Sequence, residues 1–149
     1  MPEKNVVIIG GGAAGFFSAL ACAEKNPHFN ITILEQSSRF LQKVKISGGG
    51  RCNVTHACFN PKQLVKNYPR GGKQLISPFT KFNPENTVDW FARRGVELKA
   101  EADGRIFPVT NMSQTIIDCF LVEAKRLNIK ILTGIEAEKI FLENNNYKW

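Results

Sequence analysis

Val6-Val7-Ile8-Ile9 runs without a break into Gly10-Gly11-Gly12-Ala13-Ala14-Gly15, and no other stretch restricts the chain as much. Four consecutive β-branched apolar residues read as a buried parallel strand. The glycines that follow fill G-x-G-x-x-G and open an Ala-rich helix. Gly10 permits a tight turn out of the strand, and Gly12 leaves no Cβ between the backbone and a pyrophosphate. Gly15 lets the helix approach the sheet, with Ala19 keeping the same face small. The N–H groups around Ala13 and Ala14 have no partner inside the helix and face an anion.

A glycine motif alone is weak, and its surroundings strengthen it. A second apolar strand, Ile31-Thr32-Ile33-Leu34, ends on Glu35, followed by Gln36. Glu35 lies twenty positions after Gly15, where an acid takes the ribose hydroxyls of an adenine dinucleotide. A secretory signal or membrane span is the competing reading. Val6 to Ala23 carries no charge, Lys4 precedes it, and Ala21-Cys22-Ala23 imitates a cleavage site. Four glycines in the middle would break the helix such segments require. The sequence therefore predicts no membrane insertion.

At 149 residues the chain is one domain's worth, and 43% hydrophobic against 22% charged content is globular. Four cysteines (Cys22, Cys52, Cys58, Cys119) lack C-x-x-C spacing, which suggests reduced thiols and a cytoplasmic location. Cys22 and Cys119 read as buried small hydrophobes on helices. Cys52, His56 and Cys58 match no common zinc spacing, so no metal site is expected. The net charge of +7 is uneven: residues 36–100 hold twelve Lys/Arg against three Asp/Glu. Such an excess is a solvated surface or a landing area for a polyanion such as RNA.

Residues 13–26 should form the first helix, 31–35 the second strand, and 61–82 short helical turns broken by Pro and Gly. Between them Ser47-Gly48-Gly49-Gly50-Arg51-Cys52-Asn53 forms a second anion-friendly backbone, with an ordinary flexible loop as the alternative. Asn83-Pro84 opens a helix carrying Trp90 and Phe91 as core and stopping at Gly95. Val96–Ala102 and Arg105–Val109 read as strands joined by the two-residue hairpin signal Asp103-Gly104. Asn111 with Gln114 reads as a capping box for a helix over 112–127, with Ile116, Ile117, Phe120, Leu121 and Ala124 inward. Ile129–Thr133 is the third parallel strand, Ile135–Leu142 another strand, Asn144-Asn145-Asn146 a turn, and Tyr147-Lys148-Trp149 the start of the next strand. The fold class is α/β, a Rossmann-like three-layer fold with a parallel sheet, a basic helical insert between the second and third strands, and a β-hairpin. Residues 1–149 are read as a single domain, incomplete at its C-terminal end.

Taken together, IIGGGAAGFFSALACA, ITILEQ, KVKISGGGRCNVTH and ADGRIFPVTNMSQTIIDCF resemble the N-terminal part of a bacterial flavoprotein family. This is the HI-type, BaiN/RdsA group of NAD(P)/FAD-dependent oxidoreductases. The first two motifs are general to flavoproteins with two dinucleotide-binding domains, whereas SGGGRCN and DGRIFP are specific to the group. The resemblance implies a noncovalent FAD, with NAD(P)H as the electron donor. Gly10, Gly12, Ala13, Ala14 and Gly15 would meet the pyrophosphate, Glu35 and Gln36 the ribose end, and Lys43 with Ser47 to Asn53 the flavin end. Ala137, on the strand after Gly134, would hold the adenine through backbone atoms.

Family members are longer, adding a second domain and a C-terminal segment over the flavin. The resemblance also implies hydride transfer to or from a conjugated C=C bond, in a steroid-like compound or a uridine of ribosomal RNA. The basic segment leans toward RNA. Cys52 is the one catalytic candidate, a redox thiol or proton donor whose thiolate Arg51 would favour, against the plainer reading of a packing cysteine. The alternative function is a nucleotide- or RNA-binding fragment without turnover. An NAD-only dehydrogenase shares the first motif but explains neither SGGGRCN nor the insert.

Overall fold

A computed structural model describes residues 4–143 and 146–148. The elements run β1 (Lys4–Ile9), α1 (Ala13–Lys25), β2 (Phe29–Glu35), α2 (Gln42–Ile46), β3 (Thr55–His56), α3 (Pro61–Leu64), α4 (Gly72–Lys81), α5 (Pro84–Ala92), β4 (Leu98–Ala100), β5 (Arg105–Pro108), α6 (Ser113–Arg126), β6 (Lys130–Thr133), β7 (Phe141–Glu143) and β8 (Asn146–Lys148). They gather into two compact units. Unit 1 is Met1–Val44 with Phe120–Trp149, and unit 2 is Lys45–Cys119.

Unit 1 is a Rossmann-like α/β arrangement built on a parallel sheet in the order β1-β2-β6. Val6 pairs with Ile31 and Ile8 with Ile33, while Leu34 pairs with Leu132 on the other side. The central strand is the buried one: Ile31, Ile33 and Leu34 are at most 3% exposed. The expectation of a fully buried first strand is corrected here. β1 has β2 as its neighbour in the sheet, and Val6, Val7 and Ile8 are only half-buried while Ile9 is 52% exposed. Helix α1 buries Phe16, Ala19, Leu20 and Ala23, an i, i+3, i+4, i+7 face. The Phe16 ring lies 5.6 Å from that of Phe40 and 5.8 Å from that of Phe120.

Unit 2 contains most of the basic segment, from Lys45 onward, and a small antiparallel sheet in the order β3-β5-β4. Asn83 caps α5, accepting from the Asn86 N–H, while the Asn86 side chain accepts from the Asn83 N–H and Pro84 occupies the first turn. Phe91 is buried as expected. Trp90 is only half-buried and carries the Arg94 guanidinium 3.7 Å above its ring, so its outer face is covered by a cation rather than by core. The 61–82 stretch is broken as its Pro and Gly residues demand, although α4 reaches ten residues with Pro78 inside it.

Three local expectations differ from the structure. The β4–β5 connection is a three-residue loop, because Glu101 N–H donates to the Arg105 carbonyl and Gly104, at φ 84°, takes the left-handed position after a tight turn. The Asn111–Gln114 capping box does not form. Asn111 is itself left-handed at φ 54°, the Gln114 amide reaches Asp118, and α6 begins at Ser113, whose buried hydroxyl donates to the Lys45 carbonyl. The strand expected over 135–142 forms only at Phe141–Glu143, paired antiparallel with β8, and residues 135–140 have no regular structure. Asn144 and Asn145 of the expected turn, and Trp149, lie outside the described residues. Among the described residues no helix is long and apolar enough to cross a membrane.

Candidate functional site: a dinucleotide turn and a second glycine loop

In unit 1 the β1–α1 junction is held by backbone bonds on both sides. Gly10 N–H donates to the Leu34 carbonyl, and the Gly11 carbonyl accepts from Leu41 N–H, both at 2.8 Å. Gly10 sits at φ 105°, a conformation that L side chains rarely adopt. A Cβ on Gly15 would lie 1.9 Å from the Gly10 carbonyl oxygen, so only glycine lets the helix start this close to the turn. At Gly12 the opposite holds: a Cβ would meet nothing within 4 Å, and Gly12, Ala13 and Ala14 are exposed. No side chain caps α1, and its first turn holds no acid. Exposed N–H groups with open space above them fit a phosphate group.

Glu35, at the end of β2, is bonded to that turn. Its Oε2 accepts from Gly11 N–H at 2.8 Å, and its Oε1 accepts from the Ser37 N–H and hydroxyl, each at 2.9 Å. The Ser37 N–H first, then the Gly11 N–H, hold the carboxyl below the usual carboxylate range against the opposing effect of burial. The anchoring is therefore complete at neutral pH and fades as pH falls through that lowered value. A carboxylate has about four acceptor positions and three are taken, which leaves one for a hydroxyl. Gly11 and Ser37 were missed in the sequence reading. A Cβ on Gly11 would stand 3.0 Å from that of Glu35, so the middle glycine of the run is a packing requirement.

In unit 2 the run Ser47–Gly50 is a tight, kinked turn that leaves the right-handed helical region, with Gly48, Gly49 and Gly50 at φ 57°, 69° and 86°. Cys52 N–H closes it on the Ser47 carbonyl. The loop is seated on β5. Val54 N–H donates to the Ile106 carbonyl, Thr55 pairs with Ile106, and Ala57 N–H donates to the Gly104 carbonyl. A Cβ on Gly48 would lie 2.7 Å from the ring of Phe107, which is fully buried. His56 packs on Gly104 in the same way. SGGGRCN is thus packed on DGRIFP at Phe107 and tied to it by hydrogen bonds from the Val54–Ala57 segment that follows it.

Two expectations about single residues change. Cys52 is 5% exposed, and burial pushes its thiol up, with the Ser47 hydrogen bond opposing. Arg51 does not activate it, because its guanidinium pairs with Glu101 and lies 4.0 Å over the Phe107 ring. Cys52, left-handed at φ 64°, is the packing cysteine of the plainer reading. Ala137 lies in the irregular segment 135–140 rather than on a strand, because β-pairing resumes only at Phe141. Of the remaining candidates, Gln36, Lys43, Gly49, Gly50 and Asn53 are exposed.

A family model described as HI0933-like protein Rossmann domain matches residues 4–148. The chain belongs to this family. It is 28% identical to a 3-dehydro-bile acid delta(4,6)-reductase of Clostridium scindens, over 97% of this chain and 34% of the relative. It is 25% identical to a ribosomal RNA dihydrouridine synthase of Escherichia coli, over 87% of this chain and 31% of the relative. The chain thus spans about a third of the length of these two relatives. Its fold is similar to that of a flavocytochrome c3 fumarate reductase in an open conformation, with a TM-score of 0.64 at 20% identity, covering 96% of this chain and 28% of the other. For this member of the HI0933-like family, the likeness bears out the Rossmann-like α/β fold read from the first motif.

Proposed function

We infer that the chain is the FAD-binding part of a flavin-dependent oxidoreductase. The observation that carries this reading is the uncapped first turn of α1, open at Gly12, with the Glu35 carboxylate bonded to the same turn. Gly10, Gly12, Ala13, Ala14 and Gly15 bind the pyrophosphate through backbone N–H groups, and Glu35, beside Gln36, takes a ribose hydroxyl at its remaining acceptor position. Lys43 and Ser47–Asn53 serve the flavin end, and Ala137 the adenine, both assigned from the sequence resemblance. FAD, when bound, supplies hydride transfer to or from a conjugated C=C bond, with NAD(P)H as the donor. The names of the two relatives, one a bile acid reductase and one an RNA dihydrouridine synthase, suggest the two substrate classes, and the cysteine usage suggests a cytoplasmic setting.

The test is direct. The purified chain is expected to show a flavin absorbance spectrum or to take up added FAD, and a colourless chain that binds none overturns the reading. Glu35→Ala is expected to raise the FAD Kd about tenfold to a hundredfold, the cost of a hydrogen bond to a charged group. Unchanged affinity in a titration would remove Glu35 from the ribose site.

One observation favours RNA as the substrate. Residues 61–82 carry Lys62, Lys66, Arg70, Lys73 and Lys81 with no acid, all five exposed, and Phe59, Tyr68 and Phe82 stand exposed among them. Cations interleaved with aromatic faces suit a single strand whose phosphates and bases are both engaged. If three of the cations meet phosphates, log Kd for a single-stranded oligonucleotide should rise with log salt at a slope of about 2. A flat dependence would exclude that contact.

A further inference from the structure

Glu101 touches the second glycine loop through the Arg51 side chain. Three consecutive left-handed glycines form the least conformationally restrained backbone a chain can offer, so something must hold them in one shape. The Arg51 side chain does this from beneath. Its Nε donates to the Gly48 carbonyl at 3.4 Å, its Nη1 donates to Glu101 Oε1, and its guanidinium carbon lies 4.0 Å from the Phe107 ring centre. Glu101 is itself fixed: Arg105 Nη2 stands 3.8 Å from its Oε2, and Arg105 Nε is bonded to Asp103 Oδ2 at 2.7 Å. Phe107 is fully buried and closes against Gly48. The brace joins residues fifty positions apart in the sequence, Arg51 and Glu101.

We propose that Glu101, acting through Arg51, is a positioning residue that holds the Gly48–Gly50 N–H groups in the arrangement that receives the cofactor. This rests on the reading of that loop as a cofactor contact. Arg51 then acts from behind the loop, as a strut whose charge Glu101 balances, and the glycine backbone is the surface presented to the ligand. The pair is about one-third exposed on both sides, and such pairs add little to global stability. Its loss should therefore loosen the loop without unfolding the unit.

Glu101→Gln tests this, with two readouts. In the chain without ligand, amide hydrogen exchange at Gly48, Gly49 and Gly50 should quicken about tenfold while the Phe107 amide in β5 is unchanged. In FAD titrations the Kd should rise about tenfold at a melting temperature lowered by no more than about 3 °C. Arg51→Lys should behave alike, since an ammonium lacks the planar fork, and the double variant should be no worse than either single one. Exchange unchanged at the three glycines, or quickened equally throughout unit 2, overturns the proposal. So does an unchanged Kd in a chain that binds FAD. If the unsubstituted chain takes up no FAD, the functional reading fails separately, and the exchange result alone upholds or overturns the brace.

Discussion

Gly15→Ala is expected to lower the melting temperature by roughly 6–12 °C and to abolish FAD uptake, although alanine is the better helix residue. Two effects oppose each other. Alanine in a helix is favoured over glycine by about 1 kcal/mol. Against that, the new Cβ would stand 1.9 Å from the Gly10 carbonyl oxygen, a backbone atom that cannot swing aside. Forcing an extra carbon into a packed contact costs about 1–3 kcal/mol and occasionally more, and a clash this short with a backbone atom belongs above that range, at about 4 kcal/mol. A net loss near 3 kcal/mol corresponds to the stated shift for a chain of this size. The helix start must also back away from the turn, which withdraws the N–H groups from the anion.

Gly12→Ala separates the two consequences. Its Cβ meets no atom within 4 Å and its φ is −88°, so stability should fall by less than about 1 kcal/mol. FAD affinity should nevertheless collapse, because the methyl group would occupy the space proposed for the pyrophosphate. Thermal melts and FAD titrations on the two variants check both halves. If Gly12→Ala binds FAD normally, the pyrophosphate does not lie where the motif places it.

Gly48→Ala should be nearly as damaging, by a different route. The residue is left-handed at φ 57°, which costs a side-chain-bearing residue about 1–2 kcal/mol. Its Cβ would also meet the Phe107 ring at 2.7 Å and the Asn53 amide nitrogen at 2.9 Å. Phe107 is fully buried and has nowhere to rotate. The sum is about 3 kcal/mol, and the expected result is a melting temperature lowered by roughly 6–12 °C with the loop unseated from β5. Gly49→Ala is the control, since it shares the left-handed backbone but meets nothing within 4 Å and should cost only about 1 kcal/mol. Equal melting temperatures for the two variants would show that the contact with Phe107 carries no weight.

Much of unit 1 was legible because its signals are local. A strand, a glycine turn, a helix and an acid twenty residues on are all set by the chain's own spacing, and β6 follows from a short apolar run after a helix. Unit 2 was less legible where the deciding partner is distant. The hairpin at Asp103-Gly104 looked like a two-residue turn until Glu101 paired with Arg105 and made it three. Asn111 and Gln114 have the right spacing for a capping box, but burial of Ser113 against the Lys45 carbonyl moved the helix start and took the box apart. Arg51 beside Cys52 suggested an activated thiol, yet the guanidinium turns to Glu101 and Phe107, neither near it in the sequence.

The sequence by itself determined the dinucleotide turn, its acid and the family, because each depends on residue type at short, fixed spacing. Only the tertiary structure decided why the glycines cannot be replaced. Gly15 and Gly48 answer to atoms at Gly10 and Phe107 that the fold brings within van der Waals distance, and Gly12 answers to space left open. Spacing along a chain can announce that a site exists. Which of its atoms touch, and which face solvent, depends on packing between elements that the sequence places far apart.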